Sequence, residues 1–423
     1  MHSTLRFLLP ALLLASSVCT AGSRDEIDAL AARPAVRAAL QHLVAMEDEL
    51  VDDLVELTEI PAPPFGEGPR GERFAALLKE AGLTDVSTDD AGNVIGRRPG
   101  RDGRRVIAVA AHLDTVFPAD TDVTVRVEGN RYVAPGVGDN TRGLVVVLGV
   151  LRALEQAAIE TEADILFVGN TGEEGLGDLR GVKHLFREGG PRIDVLIAVD
   201  GGETERLVYG GVGSHRYRIT FRGPGGHSWG AFGTANPHHA LGRAIEKFVT
   251  TAPGINTDDE KTSYNIGRIG GGTSINSVPF ESWMEVDMRS GSQDRLDAID
   301  ALLQAAVREA LVEENAARTE GEPLTVTVER VGKRPAALGD RESDLVQRAA
   351  AAIGWAGLEP DYQLSSTDAN YPISLGVPAI TLSRGGISKD AHSPAESWEN
   401  VDSHLGPQIC LLTLLAEAGY AGP

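Results

Sequence analysis

The chain has 423 residues, enough for two or three domains of roughly 100 to 200 residues each, so a single small binding module is excluded. Its 42% hydrophobic and 24% charged residues are ordinary for a globular protein. A net charge of −22 repels phosphate backbones and anionic lipid surfaces, which argues against nucleic-acid binding.

The N-terminus has the three parts of a secretory signal. A short cationic start, Met1–Arg6, precedes the apolar stretch of residues 7–15 and the small residues of 16–21. The apolar stretch is shorter than the roughly 20 residues that span a bilayer. We therefore predict a cleaved signal peptide over residues 1–21 and a periplasmic or secreted protein, with no membrane contact after cleavage.

The sequence contains two cysteines. Acylation of Cys19 is a weaker alternative to signal cleavage, because Val18 precedes it where Gly or Ala is preferred. Cleavage leaves Cys410 alone, so we expect no internal disulfide. The apolar run ICLLTLL around Cys410 predicts a core residue and not a nucleophile.

The first half of the chain alternates helical and strand patterns. Apolar spacing predicts one long amphipathic helix over 34–58 and a second near 68–82. Continuous apolar runs predict strands at 104–112, 163–170 and 194–201, separated by helices at 141–156 and 179–188. This alternation indicates an α/β fold with a mainly parallel sheet, buried on both faces and flanked by helices.

The pattern changes near Gly210. The next elements are predicted in the order β-α-β-β-α-β, at 215–222, 236–251, 263–270, 280–289, 292–313 and 324–331. This order is ferredoxin-like. The α/β pattern then resumes with a helix at 341–353, a strand at 377–383 and a helix near 401–418. We predict one α/β domain over 22–210 and 332–423, interrupted by an α+β domain over 211–331.

Polar clusters follow the apolar strands, which is where an open α/β sheet places its ligand site. The clusters are His112 with Asp114, the segment GVGDN before a helix, Glu173 with Glu174, and Asp200. A metal-binding histidine usually gives its other ring nitrogen to a carboxylate, and strand alternation places His112 and Asp114 on one side. Each cluster alone also fits a structural role, such as a capped strand end, a helix N-cap or a solvated acidic turn.

Five motifs in order resemble metallopeptidase family M20. They are AHLDTV (111–116), GVGDNTRG (136–143), TGEEG (171–175), VDGG (199–202) and AHSP (391–394). The resemblance runs from about residue 45 to the C-terminus. It implies a zinc-exopeptidase-like fold in which the inserted domain is a lid and dimerisation domain, able to form a homodimer.

The resemblance also implies roles for individual residues. His112 and Asp200 would bind one metal ion, Glu174 and His392 the other, and Asp139 both. Asp114 would orient His112, Glu173 would be the general base, His227 in GGHS would stabilise the oxyanion, and Asn276 and Arg289 would hold the substrate carboxylate.

The implied cofactors are two divalent ions. Zinc suits the three carboxylates and two imidazoles, and cobalt or manganese could occupy the same donor set. Without metal, Asp139, Glu173, Glu174 and Asp200 would form a cluster of like charges, which is costly unless some are protonated.

The function expected from these residues is a secreted metal-dependent exopeptidase that hydrolyses the amide bond of small peptides. An N-acyl-amino-acid deacylase or amidohydrolase of the same family is the alternative, although Asp200 favours peptidases. A non-catalytic binding relative is disfavoured, because the chain keeps all five metal ligands and Glu173.

Overall fold

The computed structural model describes residues 21–255 and 261–423. The predicted signal peptide, apart from its last residue, lies outside the described residues. The α-helices are α1 (Ala21–Ala31), α2 (Pro34–Ala45), α3 (Glu47–Thr58), α4 (Gly68–Glu80), α5 (Gly143–Gln156), α6 (Arg180–Leu185), α7 (Pro237–Thr251), α8 (Gln293–Ala317), α9 (Asp344–Trp355), α10 (Asn370–Ser374) and α11 (Leu405–Ala418). Across these described ranges, no helix is both long and apolar enough to cross a membrane.

The strands fall into three stretches of the chain. The first stretch holds β1 (Asp85–Thr88), β2 (Val94–Arg98), β3 (Val106–His112), β4 (Arg126–Glu128), β5 (Arg131–Val133), β6 (Glu160–Thr161), β7 (Asp164–Asn170), β8 (Val195–Val199) and β9 (Arg206–Gly211). The second holds β10 (Gly213–Arg222), β11 (Gly226–His227), β12 (Thr262–Gly271), β13 (Ser277–Val278), β14 (Glu281–Ser290) and β15 (Thr325–Arg334). The third holds β16 (Ala337–Leu338), β17 (Asp361–Ser365), β18 (Ala379–Leu382), β19 (Ile387–Lys389), β20 (Ser397–Glu399) and β21 (Tyr420–Gly422).

A nine-stranded sheet forms the centre of the molecule. Its order is β1-β2-β7-β3-β8-β18-β9-β16, and β17 pairs with β9. The four central strands β7, β3, β8 and β18 are parallel to one another. The pairs towards the edges of the row are antiparallel. The predicted α/β fold with a mainly parallel central sheet is confirmed.

The central strands are buried on both faces. Along β3, Ile107 and Val109 pack into the larger core with α5 and α11, whereas Ala108 and Ala110 pack into a smaller core with α6. Because side chains alternate along a strand, a continuous apolar run supplies both cores. Cys410 on α11 belongs to the larger core, and its burial raises the pKa of the thiol to about 12.

The prediction of a single helix over 34–58 is wrong. The structure has two helices, α2 and α3, which meet at Met46, and α1 precedes them. The first turn of α3 contains Glu47, Asp48 and Glu49. Acidic side chains stabilise a helix N-terminus, so the sequence favours a new helix start at this point.

The inserted segment forms its own layer. Its antiparallel sheet has the order β12-β14-β10-β15, with α7 and α8 packed against one face around Ile219, Phe248, Met284 and Leu303. This strand order is that of a ferredoxin-like fold. The short strands β11 and β13 pair with each other outside that sheet.

The chain passes between the central sheet and the inserted layer twice, and these two crossings lie side by side. Asn370 at the start of α10 donates its Nδ2 hydrogens to the carbonyl oxygens of Val212 (2.9 Å) and Pro335 (3.1 Å). Its Oδ1 accepts the backbone N–H of Thr367 at 2.9 Å. One side chain therefore bonds both crossings.

Candidate metal centre

The five predicted metal ligands lie at one edge of the central sheet. His112 ends β3, while Glu174 and Asp200 follow the adjacent parallel strands β7 and β8. Asp139 lies in an irregular turn before α5, and His392 in a loop after β19. Because the carboxyl ends of parallel strands meet at one edge, residues distant in sequence come together there.

The ligands form two groups that share Asp139. One group is His112, Asp139 and Asp200, and the other is Asp139, Glu174 and His392; within each group the ligand atoms lie within 4.8 Å of one another. Oδ1 of Asp139 is 3.3 Å from Nε2 of His112, and its Oδ2 is 3.2 Å from Nε2 of His392. Asp139 thus presents one carboxylate oxygen to each group.

The environment of His112 fits a metal ligand. Its Nδ1 lies 2.9 Å from the backbone oxygen of Asp114 and donates to it, which leaves Nε2 as the ring atom that can bind a metal ion. Nε2 is buried and has no hydrogen-bond partner among the described residues. A buried polar atom without a partner is costly, and a cation between His112, Asp139 and Asp200 would satisfy it.

The carboxylate of Asp114 lies beside the His112 ring and also contacts a second loop. It is 3.6 Å from Nδ1 of His112, and the backbone oxygen of Asp114 is closer to that nitrogen, at 2.9 Å. The carboxylate oxygens accept the backbone N–H groups of Glu173 (2.9 Å) and Glu174 (2.8 Å). Asp114 therefore holds the loop that carries the predicted base and one predicted ligand.

Glu173 lies beside both the metal ligands and an arginine. Its carboxylate, with His112 and Glu174, forms a third group of ligand atoms within 4.8 Å. Nη1 of Arg334 donates to Oε1 of Glu173 at 2.7 Å, and both side chains are buried. Burial raises the pKa of Glu173 well above its usual range, and the Arg334 cation offsets part of this rise.

A second buried arginine contacts the predicted ligands. Nη1 of Arg384 donates to Oδ1 of Asp139 (3.2 Å), Asn140 (3.2 Å) and Asp200 (3.3 Å). Burial raises the pKa of Asp139, but Arg384 and the two histidines outweigh it and hold that pKa well below its usual range. Arg334 and Arg384 contact three of the four predicted carboxylates, so these two cations offset part of the like-charge repulsion expected without metal.

Glu396, which directly precedes β20, also supports the site. Its carboxylate is buried and accepts the backbone N–H groups of Gly136 (3.0 Å), Gly138 (3.0 Å) and Asp139 (2.7 Å). Sequence analysis missed the roles of Arg334, Arg384 and Glu396.

The three predicted lid residues lie in the inserted layer. His227 and Asn276 are neighbours at the antiparallel β11–β13 pair, where the backbone N–H of Ser228 donates to the Asn276 carbonyl at 2.9 Å. Arg289 near the end of β14 pairs with Asp287 at 2.7 Å. In the part of the chain that the structure describes, no hydrogen bond or ion pair joins these three side chains directly to the metal ligands.

The comparisons with known proteins agree with this geometry. The sequence profile of peptidase family M20/M25/M40 matches residues 108–418. Carboxypeptidase G2 from Pseudomonas sp. (strain RS-16) is 25% identical over 399 residues, covering 90% of this chain and 89% of that protein.

Two solved structures have the same fold. A tripeptidase from Staphylococcus aureus matches with a TM-score of 0.72 at 21% identity, covering 88% of this chain and 99% of that one. A hydantoinase/carbamoylase family amidase from Burkholderia ambifaria matches with a TM-score of 0.60 at 20% identity, covering 89% and 98%.

The family profile spans most of the chain and includes both groups of candidate ligands. The chain therefore belongs to peptidase family M20/M25/M40 and is a metal-dependent hydrolase that acts on peptide or amide C–N bonds.

Proposed function

We propose that this hydrolase is an exported exopeptidase that cleaves the amide bond of small peptides with two divalent metal ions. The observation that carries the proposal is the pair of ligand groups sharing Asp139, with Glu173 beside them. Similarity to a carboxypeptidase and to a tripeptidase supports a small peptide as the substrate.

The metal ions are proposed to be zinc. His112 and Asp200 would hold one ion, Glu174 and His392 the other, and Asp139 both, a donor set that also suits cobalt or manganese. When bound, the two ions lower the pKa of water and polarise the scissile carbonyl.

Glu173 is the proposed general base. It takes a proton from water as the water oxygen attacks the carbonyl carbon, and it returns that proton to the leaving nitrogen as the C–N bond breaks. Arg334 binds Oε1, so Oε2 is the oxygen that accepts the proton. Burial raises the pKa of this carboxylate, and the Arg334 cation offsets part of the rise.

His227 is the proposed donor to the oxyanion. Its Nδ1 accepts the backbone N–H of Trp229 at 3.2 Å, so the proton lies on Nε2, where it can be donated. Asn276 and Arg289 would hold the substrate carboxylate, a task that suits the fork of a guanidinium group. We propose that the inserted layer presents these residues as a lid and forms a homodimer.

Export is proposed from the sequence of residues 1–21. Their cationic, apolar and small-residue parts suit a signal peptide that is removed before the enzyme works in the periplasm or outside the cell.

A deacylase or amidohydrolase for N-acyl amino acids is the second candidate. The fold shared with a hydantoinase/carbamoylase family amidase supports this candidate. The same water, base and metal ions would serve it, because both reactions break an amide C–N bond.

A substrate panel tests the proposal. The metal-loaded protein without residues 1–21 is assayed with dipeptides, tripeptides, N-acyl amino acids and C-terminally amidated peptides, with the chelated protein and Glu173→Gln as controls. We expect metal-dependent release of terminal residues from short peptides. Cleavage of an N-blocked peptide but not of a C-terminally amidated one would identify a carboxypeptidase. Cleavage of the amidated peptide but not of the N-blocked one would identify an aminopeptidase. Hydrolysis of N-acyl amino acids alone would overturn the peptidase proposal in favour of the deacylase.

A further inference from the structure

The last two residues of β15 lie against the loop that carries Glu173. Nη1 of Arg334 donates to Oε1 of Glu173 at 2.7 Å, and its Nη2 donates to the backbone oxygen of the same residue. Nη1 also donates to Oγ of Ser366 at 2.9 Å. A single guanidinium group therefore fixes both the side chain and the main chain of Glu173.

Further contacts join the inserted layer to the segment Glu173–Asp178, here called the base loop. The backbone N–H of Lys333 donates to both carboxylate oxygens of Asp178, at 2.9 and 3.0 Å. Arg216 on β10 donates to the carbonyl of Gly175 at 2.7 Å. Strands β10 and β15 thus hold the base loop at its start, at its third residue and at its end.

The position of Arg334 argues against direct contact with substrate. Only 4% of its surface is exposed, and its two terminal nitrogens already bond protein oxygens. Its partner Glu173 is equally buried, and a buried carboxylate that loses its cation becomes an uncompensated charge. The carboxylate would then turn towards water or another cation and leave its position beside His112 and Glu174.

We propose that Arg334, the last residue of strand β15 in the inserted layer, is a positioning residue that sets the place of the Glu173 carboxylate. This proposal rests on the proposed function, in which Glu173 is the general base. The inserted layer, which would contact the substrate through His227, Asn276 and Arg289, would thereby also control Glu173, the proposed base.

Three variants test the proposal: Arg334→Gln, Arg334→Lys and the control Arg330→Gln. Arg330 lies on the same strand but contacts Tyr217 and Asp300 in the inserted layer. We expect Arg334→Gln to lower kcat by about 100-fold with KM within about twofold of the parent, since a displacement of about 1 Å costs that much. Arg334→Lys should recover part of the kcat, and Arg330→Gln should keep the parent value. Metal content should not change in any variant.

Hydrogen exchange of the whole protein gives a readout that does not depend on activity. In Arg334→Gln, we expect faster exchange over residues 171–178 than in the parent, and unchanged exchange over the Gly136–Asp139 turn, which Glu396 holds. The exchange of Arg334→Gln and of the parent can be compared even if the parent hydrolyses no peptide. That outcome would refute the proposed function but not the role of Arg334.

Two results would overturn the proposal. A rise in KM with kcat preserved, seen with free-carboxylate substrates but not with their amides, would show that Arg334 binds substrate. Unchanged exchange over residues 171–178 in Arg334→Gln would show that Arg334 does not position the base loop. If Arg334→Gln does not fold, Arg334→Lys carries both tests, because it keeps the charge but cannot bond both Oε1 and the carbonyl in the same way.

Discussion

The carboxylate of Glu396 accepts the backbone N–H of Asp139 at 2.7 Å, and it also accepts those of Gly136 and Gly138. Three converging N–H donors make an anion-binding turn, and a buried side chain of the protein itself fills it. The turn carries Asp139, whose carboxylate faces His112 and His392. Glu396 therefore determines the position of this shared ligand.

Substitution of Glu396 should therefore weaken metal binding. In Glu396→Gln, the side-chain NH2 replaces one acceptor oxygen and faces a backbone donor, so the turn must shift. We expect metal affinity to fall by about 10- to 100-fold, as for other residues that support metal ligands. Metal titration of the chelated protein measures the change. Glu399→Gln is the matched control, because Glu399 lies three residues further along the chain, at the end of β20, and pairs with Lys389 near the surface. Equal affinity in Glu396→Gln and the parent would contradict the role of the turn.

Glu173 and Glu174 are adjacent but should respond differently to the same change. Glu173→Gln should reduce kcat by at least about 100-fold while bound metal stays at the parent level, because the residue is a base and not a ligand. Glu174→Gln should lose metal, because its Oε1 is 2.8 Å from Nε2 of His392 within one ligand group. Metal analysis after gel filtration and a peptidase assay separate the two cases. Loss of metal in Glu173→Gln would show that the roles are assigned wrongly.

Removal of metal should lower thermal stability without unfolding the protein. Ligands that bind only the native state stabilise it by about 4 kcal/mol at a thousand times their Kd. Arg334 and Arg384 keep three of the four carboxylates paired when metal is absent. We expect the chelated protein to melt at a lower temperature, to keep its circular dichroism spectrum, and to regain its Tm and activity as zinc is added. A Tm that does not depend on metal concentration would refute the site.

A separate prediction concerns Asp300 in the inserted layer. Burial raises its pKa, but hydrogen bonds with His215, Tyr217 and Gln304 outweigh this and lower the pKa from 3.8 to about 2. A carboxylate with a lowered pKa stabilises the native state above the unfolded pKa, and this contribution is lost as pH falls towards 2.

Asp300→Asn should thus cost about 1 kcal/mol at pH 7, after allowance for solvent screening, and about half as much at pH 3. Calorimetric melting of parent and variant at both pH values measures this difference. Asp297→Asn removes an exposed charge from the same helix and should cost little at either pH. A cost for Asp300→Asn that is equal at pH 7 and pH 3 would rule out the ionised carboxylate as its cause.

Patterns within a short window of sequence predicted most of the fold. The apolar runs of β3, β7 and β8 predicted a sheet buried on both faces, because both of their faces contact core. Alternation of polar and apolar residues predicted β10 and β15, because this pattern is typical of a strand with one buried face. The break at Met46 was missed because apolar spacing continues through it, although the acidic residues of the first turn of α3 mark a helix start.

The supporting contacts of the site could not be predicted in this way. Arg334 and Glu173 are 161 residues apart, Arg384 and Asp139 are 245 apart, and Glu396 and Asp139 are 257 apart. The periodicity of a sequence does not indicate which distant residue a given arginine or glutamate will contact. Only the folded arrangement of strands and crossings brings each pair together.

The amide of Asn370 restricts how the inserted layer can move. Because one nitrogen bonds the carbonyls of Val212 and Pro335, the two crossings cannot slide past each other or separate while those bonds last. A rigid-body rotation of the layer about the crossings would have to break these bonds or the contacts of Lys333 and Arg334 with the base loop.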